Sequence, residues 1–451
     1  MILLTAACAV LPGVNQREQV RQAWAVYAEG RPAEAKKRLG RLARDDRATF
    51  MLANIALSEG DLTRAAELSA QLQKRQPTAG EVMLLGRLVQ RRRESPGEAW
   101  LDSYAAAWRE AGRPELTNVF TPQAWVLWPE LKVPDSIRRA VLGTPSQLLL
   151  QPDLCNTKKG CPDLTSALSS DDLPAEWLVL AVQLARCPLR CQDQRCQRLA
   201  AELDWRFPES AEFALLGLID AVPEDQPLTA DLLGRLEAVL ARPRLALSNA
   251  DLRVAYEAPF RALGLSQPEL RARLLMNVVW MWNPMLVGRL RRATLQTTRD
   301  GDAGLKVRAA QLSRRAGLLL LRDRTLMSWL QAVPFLYWAG KYGDEPCVRD
   351  LAEDVRAYAT GFFPAAQSAA TAVVFWPIPA LMSDAGSLQV DDEITFYERL
   401  TGEPVPARVM AFMREQRCGD CTDSTKPLPE PTATRPAPTT SAAHRRGRLA
   451  K

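Results

Sequence analysis

The chain has 451 residues, 47% hydrophobic and 24% charged, a balance that suits a folded protein of about three domains and argues against a wholly disordered chain or a polytopic membrane protein. It carries nine cysteines, twelve tryptophans and one histidine, His444, placed in a Pro/Thr/Arg-rich tail. Serine triads, Cys-His dyads and histidine zinc sites therefore have no core imidazole to build on. The net charge of +6 is uneven: residues 271–324 hold twelve cations against three anions, and residues 422–451 hold six against two.

At the amino terminus, Ile2 to Leu11 run apolar and break at Pro12-Gly13. A secretory signal joins a basic stretch to an apolar one of about 7–15 residues, and here the apolar part is short and the basic part absent. Leu4-Thr5-Ala6-Ala7-Cys8 resembles the lipobox of bacterial lipoproteins. The resemblance implies that residues 1–13 are a signal segment, that Cys8 is acylated, and that the protein is attached to the bacterial cell envelope through a lipid. The other reading is a short frayed or buried apolar terminus.

Residues 14–118 read as amphipathic helical hairpins. Ala23, Trp24, Tyr27 and Ala28 recur at helical spacing, Gly30-Arg31-Pro32 breaks the chain, and Ala35, Leu39 and Leu42 resume the apolar face. Leu52, Ala53 and Ala56, then Gly60-Asp61, then Ala65, Leu68, Leu72 and Pro77 repeat the plan. A third copy runs Leu84, Leu85, Leu88, then Ser95-Pro96-Gly97, then Ala99, Tyr104 and Trp108. The pattern resembles the tetratricopeptide-type repeat, with small residues at helix contacts, Gly at the turn and Pro near the end of the second helix. That resemblance implies an α-solenoid whose concave surface holds a protein or peptide partner.

The region 119–265 contains Cys155, Cys161, Cys187, Cys191 and Cys196, and Cys418 and Cys421 lie beyond it. With Cys8 acylated, an even number remains, which suits disulfides in an oxidising compartment. A zinc site from Cys187, Cys191, Cys196 and one of Cys155 or Cys161 is a second reading, and reduced thiols a third. Further helices are expected over Trp177–Ala185, through Leu199 and Leu203 to Phe207-Pro208, over Ala211–Asp220, Leu228–Leu240 and Asp251–Leu263.

The region 266–421 opens on the cationic segment. Between Leu305 and Leu320 the apolar residues share one helical face while Lys306, Arg308, Arg314 and Arg315 lie off it. This basic face suits anionic lipid or an acidic protein; without interleaved aromatics, nucleic acid is not expected. The bland alternative is a solvated helix face. A hairpin is expected over Leu326–Trp338 and Val348–Tyr358, joined by Gly343-Asp344-Glu345-Pro346. Thr360–Ser383 lacks charge, but Pro364, Pro377, Pro379 and Gln367 favour a buried helical core over a membrane span. Residues 422–451 read as a disordered tail.

No phosphate loop, dinucleotide fingerprint or nucleophile elbow is present, and no cofactor is expected. Asp171-Asp172 and Asp391-Asp392-Glu393 read as helix starts, since sequence neighbours diverge in space. The expectation is an all-α, non-enzymatic protein-binding scaffold of the bacterial envelope. The alternatives are a cytoplasmic helical-repeat adaptor and a helical enzyme using carboxylates.

Overall fold

Short apolar stripes separated by Gly, Asp and Pro cannot sustain long helices, and the chain folds as a succession of short ones. The computed structural model describes residues 12–28, 30–117, 120, 201, 203–218, 221–223, 226–246, 284–361, 365–373 and 376–415. Cys8, Cys155, Cys161, Cys187, Cys191, Cys196, Cys418 and Cys421, the helices expected over 177–185 and 251–263, and the 422–451 tail lie outside them.

Six helices make the amino-terminal part: α1 (Pro12–Ala28), α2 (Pro32–Gly40), α3 (Asp46–Ser58), α4 (Leu62–Arg75), α5 (Gly80–Glu94) and α6 (Trp100–Glu110). Each packs against the next in sequence. The turns between α1 and α2 and between α3 and α4 are alike. Gly30 and Gly60 take positive φ (79° and 82°), and the following amides of Arg31 and Asp61 bond back to the carbonyls of Val26 and Ala56 at 3.2 and 2.9 Å. This left-handed glycine closure reverses the chain within two residues. Asp61 then caps α4 by accepting from the Arg64 amide at 3.0 Å.

The remaining described helices are α7 (Ala211–Leu218), α8 (Ala230–Leu240), α9 (Pro284–Asp300), α10 (Ala303–Arg322), α11 (Leu326–Tyr342), α12 (Pro346–Gly361), α13 (Ala365–Val373), α14 (Pro379–Asp391), α15 (Glu393–Thr401) and α16 (Ala407–Glu415). Among the described residues there is no strand, only an isolated bridge between Ser210 and Arg244. The fold is all-helical with neighbouring helices packed in pairs. The uncharged stretch 360–383 does not form one helix: Trp376-Pro377-Ile378 divides α13 from α14, and all three are buried. No described helix is long and apolar enough to cross a membrane.

Glycine sets the closest helix contacts. A Cβ on Gly317 of α10 would lie 2.7 Å from Leu336 of α11, and one on Gly340 of α11 would lie 2.5 Å from the Arg349 nitrogen of α12. At the α11–α12 turn the left-handed residue is Asp344 (φ 55°) and not Gly343. Cys347 lies in the first turn of α12.

Candidate functional site

In a helical-repeat protein the face shared by successive hairpins is the expected binding surface. Here carboxy-terminal residues of the chain pack against α3 and α6. Trp376 is fully buried, its indole N–H donating to Asn54 Oδ1 of α3 at 2.8 Å. Its ring meets Phe50 of α3 and Tyr104 of α6 edge-on, with centroids 5.3 and 5.2 Å away. Tyr104 donates to the Ala369 carbonyl at 3.2 Å, and Ser368 accepts from the Leu116 amide at 3.1 Å. Met382 of α14 belongs to the apolar cluster of Val20, Trp24, Met51 and Ile55. Beside this, Arg109 donates to the carbonyls of Arg399 and Leu400, the open end of α15, at 2.8 and 2.9 Å.

The cationic face of α10 is also engaged within the chain. Arg308 makes a two-pronged pair with Glu237 of α8 at 2.7 and 3.0 Å. Arg315 donates to the carbonyls of Leu240 and Ala241 at the end of α8, both at 2.8 Å. That is the end at which a cation complements the helix dipole. The Arg314 guanidinium lies 5.7 Å from the Phe412 ring and 3.5 Å from Glu345. Lys306 is half-buried on the same helix. These three arginines hold α8, α10, α16 and the α11–α12 turn together.

Glu393, which the sequence places at a helix start, shares an electrostatic neighbourhood with Asp323 at the end of α10, as does Glu212 of α7. Glu393 accepts from the Leu326 amide at 2.8 Å, so it caps α11 while belonging to α15. Burial, with the nearby Asp323 charge adding to it, raises its pKa to about 7. Burial and Asp323 likewise raise Glu212 to about 8. Asp323 accepts from Ser328 Oγ, and neighbouring Arg324, at positive φ (52°), pairs with Asp392 at 2.7 Å. Among the described residues no set of three metal-ligating side chains has metal-site geometry.

An open apolar cleft lies between α11 and α12, with a volume of about 240 Å³. Val333, Pro334, Tyr337, Trp338 and Ala352 line it, and Glu353 and Arg356 stand at its rim. Gly340 brings the helices into close contact next to their turn. Away from the turn, the small side chain of Ala352 leaves the space. Tyr337 and Trp338 are half-buried and meet edge-on at 5.2 Å. Trp338 stacks on Tyr342 at 5.7 Å, with Lys341 Nζ 5.1 and 5.4 Å from the two ring centroids. Rigid, partly exposed aromatics flanked by charge make an amphipathic surface for a peptide. The sequence reading placed 326–338 and 348–358 in a hairpin but assigned no binding role to the aromatics. The signal was there in Tyr337, Trp338 and Tyr342, since i and i+4 share a helix face.

No protein-family model matches this chain, and no curated protein or solved structure matches it either.

Proposed function

We propose that the protein is a non-enzymatic, tetratricopeptide-like scaffold of the bacterial cell envelope that holds a protein or peptide partner in the α11–α12 cleft. The observation that carries this reading is the partly exposed Tyr337–Trp338–Tyr342 group beside an open cleft, while Trp376 and Met382 pack against the amino-terminal helices. Membrane attachment through an acylated Cys8, and pairing of the other cysteines in an oxidising compartment, belong to the same reading.

The test pairs the wild-type chain with Trp338→Ala, after circular dichroism and thermal unfolding show both folded. A partner captured reproducibly from native envelope preparations by the wild type is expected to be lost from the variant. Retention of the same partner by both overturns the cleft as the binding surface. Membrane fractionation with intact mass of the amino-terminal peptide tests the anchor: a lipid-sized mass on Cys8 supports it, and an unmodified amino terminus in the cytosol removes it.

A further inference from the structure

We infer that the α11–α12 cleft binds the chain's own proline-rich segment, residues 427–438, so that an external partner must compete with it; this rests on the reading of the cleft as a peptide-docking surface. The segment reads Pro427-Leu-Pro-Glu-Pro-Thr-Ala-Thr-Arg-Pro-Ala-Pro438, with five prolines in twelve residues. Proline-rich chains are already extended as polyproline II and dock against aromatic-lined grooves with little further loss of entropy. The cleft offers such a lining in Tyr337 and Trp338, beside Pro334 of the same helix.

Reach and charge agree. The last described helix, α16, packs on α12 and α10, and Arg408 approaches Asp354 at 3.3 Å and Asp350 at 4.0 Å, both on α12. The chain therefore enters α16 beside the helix that forms one wall of the cleft, and Glu415 lies about 10 Å further along α16. Twelve further residues lead from Glu415 to Pro427; extended, they span up to about 40 Å. The sixteen-residue α12 is about 24 Å long, so every point along it is within reach. Glu430 sits among the first three prolines, and Lys341 and Arg356 stand exposed at the aromatic side and rim. Lys426 precedes the segment and Arg435 lies within it, and both complement Glu353. A tether this short gives an effective concentration on the order of millimolar, so weak intrinsic affinity suffices for occupancy.

The experiment uses the full chain with a photo-crosslinking residue in place of Leu428. Intramolecular crosslinks mapping to peptides that contain 333–342 or 352–356 are expected. Crosslinks confined to other regions, only between chains, or absent overturn the inference. A second arm adds a labelled synthetic peptide of residues 424–440 to the wild type and to the Pro427→Ala/Pro429→Ala/Pro431→Ala variant. Removing the internal competitor is expected to tighten peptide binding at least about tenfold, and adding Trp338→Ala to that variant is expected to abolish it. Peptide binding that depends on Trp338, without crosslinks from position 428 to the cleft, overturns only the occupancy by the chain's own segment. Peptide binding that is unaffected by Trp338→Ala, or no binding at all, overturns both this inference and the docking reading.

Discussion

Single side chains carry opposite pH dependences in this protein. Glu393 and Glu212 are raised to about 7 and about 8, chiefly by burial, from an ordinary value of 4.5. A carboxyl whose folded pKa is raised favours the folded state in its protonated form, so stability from this source is fully present below about pH 4.5 and lost as pH rises through 7 and 8. Glu98 behaves oppositely: the Arg91 guanidinium, bonded to it at 2.7 and 2.9 Å, holds it down to about 2. Its contribution is present above about pH 4.5 and lost as pH falls toward 2. Thermal unfolding is therefore predicted to be highest near pH 4.5 to 5, to fall as pH rises toward 7 and 8, and to be lower by several degrees at pH 8.5. Glu393→Gln keeps an acceptor for the Leu326 amide while removing the charge, and it is predicted to regain roughly 1–3 kcal/mol at pH 8.5 and little at pH 5. Identical unfolding midpoints of wild type and variant at both pH values would contradict the burial account. None of this was legible in the sequence, where Asp391-Asp392-Glu393 read as a helix start. Asp392 does cap α15, accepting from the Thr395 amide at 2.8 Å, but Glu393 caps a helix that begins 67 residues earlier.

Helices and their turns were the most legible features, because apolar spacing and Gly/Pro breaks are local. The expected hairpins at Gly30 and Gly60 are seen with the backbone geometry that glycine permits. What spacing does not reveal is which glycine serves a turn and which a crossing. Gly317 and Gly340 lie inside helices and face a partner helix at distances no Cβ tolerates. Gly340→Ala, which would press on backbone atoms of α12, is predicted to lose about 2–3 kcal/mol in denaturant unfolding and to disturb the aromatic cleft. Gly217 of α7 has open space at its Cβ position, so Gly217→Ala is predicted to gain about 0.5–1 kcal/mol. Equal effects at the two sites would show that helix propensity, and not close approach, governs both.

At the scale of the whole molecule, the carboxy-terminal helices complete the amino-terminal ones. Sequence spacing marked both groups as helical and marked 360–383 as buried, yet it carried no sign that Trp376 would meet Asn54 across 322 residues. Contacts of that separation depend on the tertiary path, which periodicity does not encode. The same closure buries Trp376 and Met382 against the amino-terminal helices, while Tyr337 and Trp338 of α11 stay partly exposed. The cationic stripe was legible as a helix face, whereas its use between helices was not, because Glu237 and the end of α8 lie about 70 residues away in sequence.

That closure is tested most directly by a double-mutant cycle on the buried Trp376–Asn54 hydrogen bond, measured by denaturant unfolding of wild type, Asn54→Ala, Trp376→Phe and the double variant. Each single change strands a buried polar partner and is predicted to cost about 1–3 kcal/mol, with a coupling of about 1–2 kcal/mol between them. Additive effects would contradict the packing of the carboxy-terminal residues onto the amino-terminal helices.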